Sequence, residues 1–146
     1  MIKPSFAERE EGFGDFFERI YWRTERTKAP GMIFVDEVNA VTNFRPNGGP
    51  ASFRRCFTEG EGLGLGMMAG CQDPVNLQRE MLSQLDHLFA FRIQRDGDRK
   101  LLSNELGVKM PQVFPDKHGF FYRSNETPAV YFPDIQHATG HQDVIL

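Results

Sequence analysis

The sequence predicts an α/β fold with mostly parallel strands, and three observations point to it. Met32-Ile33-Phe34-Val35 is a short unbroken apolar run, entered from the turn Lys28-Ala29-Pro30-Gly31 and ending abruptly in Asp36-Glu37. Such a run reads as a strand buried on both faces, as in a parallel sheet. A second run, Leu63-Gly64-Leu65-Gly66-Met67-Met68-Ala69-Gly70-Cys71, has the same character. Between and after these runs, apolar residues recur at helical spacing, so strands alternate with helices rather than following one another. The expected strands are about 32–36, 64–71 and 88–93, with an antiparallel hairpin at about 119–132 closing the sheet.

Taken in order, residues 1–14 carry Pro4, the run Glu8-Arg9-Glu10-Glu11, and then Gly12 and Gly14, a flexible lead-in with at most a helical turn. From Asp15, an N-cap type, Phe16, Phe17, Ile20 and Tyr21 form one face of a helix that closes before Pro30. Strand 32–36 follows. Thr42 to Pro50 contains Asn47-Gly48-Gly49-Pro50, which is loop chemistry, and Asn43–Pro50 with Arg45 is expected to be mobile.

Pro50 suits the first turn of a helix with Phe53, Cys56 and Phe57 facing inward and Arg54 and Arg55 outward, ended by Gly60 and Gly62. The glycines of strand 64–71 lack GxGxxG spacing and reflect close packing. Asp73-Pro74 caps a helix whose stripe is Val75, Gln78, Met81, Leu82 and Leu85. Strand 88–93 leads through Asp96-Gly97-Asp98 into a short helix with Arg99, Leu101, Leu102 and Leu106, stopped by Gly107. Phe120–Arg123 and Ala129–Phe132 form the hairpin, and 133–146 is a tail.

Composition narrows the function. The chain has 146 residues, long enough for one domain with a real core over residues 15–132. Its net charge of −3 argues against a generally basic nucleic-acid binder, so any DNA contact has to come from local arginines or neighbouring subunits. Cys56 and Cys71 lie far from any CxxC or Cys/His cluster, which argues against zinc; buried thiols fit better than a disulfide. The four histidines show no metal-ligand spacing. No apolar run reaches membrane-span length and the acidic N-terminus is not a signal peptide, so a cytoplasmic protein is expected. Fourteen phenylalanines mark buried faces or subunit contacts.

Several landmarks together resemble the second half of a P-loop ATPase core of the FtsK/HerA superfamily, ring-forming DNA pumps. Met32-Ile33-Phe34-Val35-Asp36-Glu37 is similar to their Walker B strand. Phe53-Arg54-Arg55 followed by Gly62-Leu63-Gly64-Leu65-Gly66 resembles their arginine–glycine–strand segment. Gly70-Cys71-Gln72-Asp73-Pro74 resembles the sensor strand that commonly ends Thr-Gln-x-Pro, with Cys71 in place of Thr. Leu85 to Arg92 is similar to the strand that follows. The resemblance covers roughly residues 15–125 and implies a partial RecA-like three-layer core. Its departure is as informative: none of Lys3, Lys28, Lys100, Lys109 or Lys117 is followed by Ser or Thr, so no Walker A motif is present. The chain is therefore expected to be either the C-terminal portion of a longer ATPase or a remnant that never hydrolyses ATP.

By this resemblance, Asp36 holds Mg²⁺ of Mg·ATP through water, and Glu37 orients or deprotonates the attacking water. Gln72 senses the γ-phosphate, and Arg54, Arg55 and Arg99 are candidates for a finger reaching a neighbour's nucleotide. Read without the resemblance, these are a solvated strand end, a cap residue and solvated helix faces. Arg92, within an apolar strand, is expected to be paired. The implied partners are copies of the chain in a ring or the missing N-terminal half, with DNA as a substrate. A non-catalytic oligomerisation or scaffold remnant, and a phage assembly or export ATPase, are the alternatives.

Overall fold

The computed structural model describes residues 6–42, 49–77 and 79–134. The chain divides into two compact units, Met1–Gln84 and Leu85–Leu146.

The first unit opens with helix α1, Phe6–Thr27. The expected lead-in is thus helical from Phe6, nine residues before Asp15. Glu10 and Glu11 are good helix formers, and the helix tolerates Gly14 because that position is used in packing. The Ser52 hydroxyl donates to Gly14 O at 2.9 Å, and a Cβ on Gly14 would touch Pro50. Strand β1, Gly31–Val35, follows, then a short helix α2, Val38–Val41, where sequence reading finds only irregular chain. Helix α3, Ala51–Glu59, starts after Pro50 as expected. A 3₁₀ turn, Glu61–Leu63, ends at Gly64 in the left-handed region, and β2 runs Leu65–Ala69. Of the loop expected to be mobile, Asn43–Pro50, residues 43–48 with Arg45 lie outside the described residues.

β1 and β2 pair in parallel, Gly31 opposite Leu65 through Val35 opposite Ala69. The expectation of burial on both faces does not hold. Ile33 and Leu65 are buried against α1 and α3, whereas Met32, Phe34 and Met68 are 57%, 71% and 56% exposed on the other side. The cause is simple: both described long helices of this unit serve one face of the sheet, and its core consists of Phe17, Tyr21, Ile33, Val38, Val41, Phe53, Cys56, Leu65 and Met81. The Phe17 and Phe53 rings meet at 4.8 Å and tie α1 to α3.

The single helix expected after Asp73 is broken in two. Pro74–Asn76 is a 3₁₀ turn without a side-chain cap from Asp73, Leu77 is extended, and α4 covers only Arg79–Ser83. Of the expected stripe, Met81 and Leu82 are buried and Val75 is half-exposed, while Gln78 lies outside the described residues.

The second unit contains β3, His87–Ala90, α5, Asp96–Leu106, β4, Phe120–Ser124, and β5, Val130–Phe132. The expected third parallel strand, 88–93, is corrected here: β3 ends at Ala90 and pairs antiparallel with β4. The hairpin of β4 and β5 is antiparallel, as expected. β3 finds its hydrogen-bond partner in that hairpin, and five residues without regular structure, 91–95, then lead to α5. Ala90, Leu102, Leu106, Met110 and Phe114 form this unit's core, with Leu88, Phe121 and Tyr131 packed against it. Gly107 closes α5 in the left-handed conformation, as its position in the sequence predicts. Residues 135–146, most of the expected tail, lie outside the described residues.

Candidate functional site

The parallel pairing places two chemically distinctive strand ends side by side. Gly70 N donates to Val35 O at 2.8 Å, and Val38 N donates to Gly70 O at 2.9 Å, so the ladder continues past both strands. A Cβ on Gly70 would lie 2.2 Å from Asp36 O; only glycine admits this approach. Asp36-Glu37 and Cys71-Gln72 therefore leave the sheet from adjacent carboxyl ends, the position where open α/β sheets collect ligand-binding groups.

Asp36 and Gln72 are exposed there, and Glu37 is half-buried. Glu37 is also the N-cap of α2: its Oε1 accepts from Asn39 N at 3.3 Å. Asn39 is fully buried. Its Nδ2 donates to Cys71 Sγ at 3.4 Å and to Asp73 O at 3.2 Å, while its Oδ1 has no partner among the described residues. The Thr42 hydroxyl donates to Asn39 O and closes the turn. Burial pushes the Cys71 thiol up to about 11; the Glu37 and Asp73 carboxylates add to this, against hydrogen bonds from the Asp73 backbone and Asn39.

The arginines fall into different settings. Arg54 is exposed on α3. Arg55 is held: its Nε lies 3.0 Å from Glu59 Oε2, and its guanidinium sits 4.2 Å over the Tyr21 ring and 5.4 Å from that of Trp22. Tyr21 donates its hydroxyl to the same Glu59 oxygen at 2.8 Å. The bonds from Arg55 and then Tyr21 hold the Glu59 carboxyl below its usual range. Arg99, in the second unit, pairs with Asp96 and donates to Gln94 O at 2.8 Å and Ile93 O at 3.5 Å, tying the start of α5 to the chain before it. Arg92, expected to be paired within a strand, lies beyond the end of β3 and is exposed.

No family model and no curated protein matches this chain. Its chemistry is read from the paired tips. Among the described residues, no group of three His, Cys, Asp or Glu side chains could enclose a metal ion, and no helix is long and apolar enough to cross a membrane. A Mg²⁺ ion needs no such group. It keeps several waters and takes one or two protein carboxylates together with substrate phosphates, a demand that the exposed Asp36 fits.

Sequence reading anticipates the acidic tip and the neighbouring Gln72 but misses Asn39 and the capping bond of Glu37. A faint signal exists: Val38 and Val41 have the spacing of one helical turn directly after Glu37.

Proposed function

We propose that this chain carries the Walker B and sensor portion of an ATP-driven DNA translocase of the FtsK/HerA kind, on a partial RecA-like core, and works in the cytoplasm. The observation that supports this reading is the in-register parallel pair with Asp36-Glu37 at one carboxyl tip and Gln72 at the next. Asp36 would hold the Mg²⁺ that accompanies ATP. Glu37 keeps one carboxylate oxygen on the Asn39 amide and leaves the other to orient the attacking water. Gln72 offers an amide to the terminal phosphate. Arg54 is the preferred finger, because Arg55 and Arg99 are engaged within their own units. Bound Mg·ATP supplies the electrophilic phosphoryl group and the charge that these side chains orient.

Phosphate cradling by backbone amides and a lysine comes from a polypeptide that supplies Walker A, since a second copy of this sequence carries none. The bare face of Met32, Phe34 and Met68 supports such a partner, since parallel sheets are ordinarily covered on both sides. A non-catalytic scaffold is the second reading, and the observation that favours it is the use of Glu37 as a helix cap.

Two experiments test this reading, and the second separates it from the scaffold. Calorimetric titration of the purified chain with Mg·ATP is expected to show no micromolar binding; such binding would reveal a phosphate site of another kind. In an assembled enzyme containing this chain, Glu37→Gln is expected to retain Mg·ATP but lose hydrolysis by at least about a hundredfold. Asp36→Asn should lose metal-dependent binding as well. Full ATPase activity in both folded variants would remove the Walker B reading.

A further inference from the structure

We infer that Asn39 is a positioning residue, a latch that holds the tip of β2 against the turn carrying Glu37 and thereby sets Gln72 beside that carboxylate. The functional meaning of the latch rests on the nucleotide-handling reading above, but its geometry stands without it. The two acceptors of Asn39 Nδ2, Cys71 Sγ and Asp73 O, flank Gln72 on either side in sequence. The backbone N–H of the same residue holds Glu37 Oε1. One fully buried residue thus reaches both sides of one tip and the carboxylate of the other.

The choice of asparagine is not explained by packing. Its Oδ1 is buried without a donor among the described residues, an unfavourable arrangement that an aliphatic side chain would avoid. The amide contributes a two-donor fork whose orientation is set by two acceptors on the same nitrogen. Turning it over would bring a carbonyl oxygen against Asp73 O. The fork lies just past the last ladder bond, Val38 N to Gly70 O, where the sheet itself stops holding the chain.

The test uses the full chain and needs no nucleotide. Amide hydrogen exchange and the Gln72 resonances are followed by NMR in wild type, Asn39→Leu and Asn39→Asp. Leu fills the site without donors; Asp keeps the shape and the backbone N–H to Glu37 but places oxygen against both acceptors. In both variants the Asn76 amide, which donates to Asp73 O, should lose protection by about tenfold or more and the Gln72 signals should move, with the Ile33 and Met68 ladder amides within about twofold of wild type. Unchanged Asn76 protection and unmoved Gln72 signals in a folded Leu variant overturn the latch. Should that variant not fold, the Asn39→Asp variant decides, and unmoved Gln72 signals with unchanged Asn76 protection there overturn it equally. Retained ATPase activity in the Glu37→Gln enzyme would remove the functional reading and leave the latch intact, so the two failures are distinguishable.

Discussion

At the scale of single residues, the thiols give a prediction with a definite sign. Burial pushes both Cys56 and Cys71 up to about 11, and both are free. The thiolate is the nucleophile, so at pH 8 only about one thiol in a thousand is reactive, and alkylation should rise about tenfold per pH unit up to about pH 11. Mass spectrometry after iodoacetamide treatment measures this; labelling of either cysteine at the rate of a free thiol at pH 8 would contradict it. A folded value raised above the unfolded one also means that stability is fully present below about pH 9. It is lost as pH rises from there to about 11, because the unfolded chain releases the proton more easily. Thermal midpoints across that window should fall, and should fall less in Cys56→Ser, provided the serine is accommodated. Glu37 belongs to the same scale: a carboxylate can cap a helix with one oxygen and face water with the other, so its cap bond and its proposed chemistry are compatible.

At the scale of elements, three glycines separate by what a methyl group would meet. Gly70→Ala drives a Cβ into Asp36 O, which is backbone and cannot turn aside, and should destabilise the β1–β2 pair by about 1–3 kcal/mol or more. Gly12, exposed within α1 with open space around it, should stabilise the helix by roughly 0.5–1 kcal/mol when changed to Ala. Gly66 is intermediate, since a Cβ there meets only the movable end of Met32. Denaturant midpoints of the three variants check the order. The α1–α3 contact gives a further case: Arg55→Ala removes the stack on Tyr21 and the bond to Glu59 together, and should lower the thermal midpoint without changing the fold. An unchanged midpoint would show that the aromatic packing of Phe17 on Phe53 holds these helices by itself.

At the scale of the whole molecule, each unit shows uncovered apolar surface on its sheet. In the first it is Met32, Phe34 and Met68; in the second, Phe89 and Phe91 stand half-exposed beside Phe120 and Tyr122. Exposed apolar patches of this kind drive association. The purified chain is therefore expected to self-associate with rising concentration in sedimentation velocity. Phe34→Ser combined with Met68→Ser should weaken that association while changing stability by only about 0.5 kcal/mol per site, the scale of surface substitutions. A concentration-independent monomer would show that these faces are too small or too dispersed to associate.

Much of the chain was legible residue by residue. Gly31–Val35, Leu65–Ala69, Ala51–Glu59, Asp96–Leu106 and the Phe120–Phe132 hairpin lie close to where apolar periodicity and the Pro and Gly stops put them, because those signals act over a single element. The nearness of Asp36-Glu37 to Gln72 was legible only as a resemblance; the parallel register makes it a fact of geometry. What local pattern could not decide is which face of a strand finds a cover and which neighbour a strand takes. Phe34 reads as buried because its neighbours in sequence are apolar, yet burial depends on a helix arriving from elsewhere, and α1 and α3, the long described helices of its own unit, pack on the opposite face. Residues 88–93 look like a third parallel strand, but the strand that forms, His87–Ala90, bonds to β4, more than thirty residues away. Asn39 is an ordinary polar residue in the sequence and a buried latch in the structure, since its two acceptors at Cys71 and Asp73 are brought to it only when the two strands align. Periodicity encodes the elements, and long-range pairing alone assigns their partners.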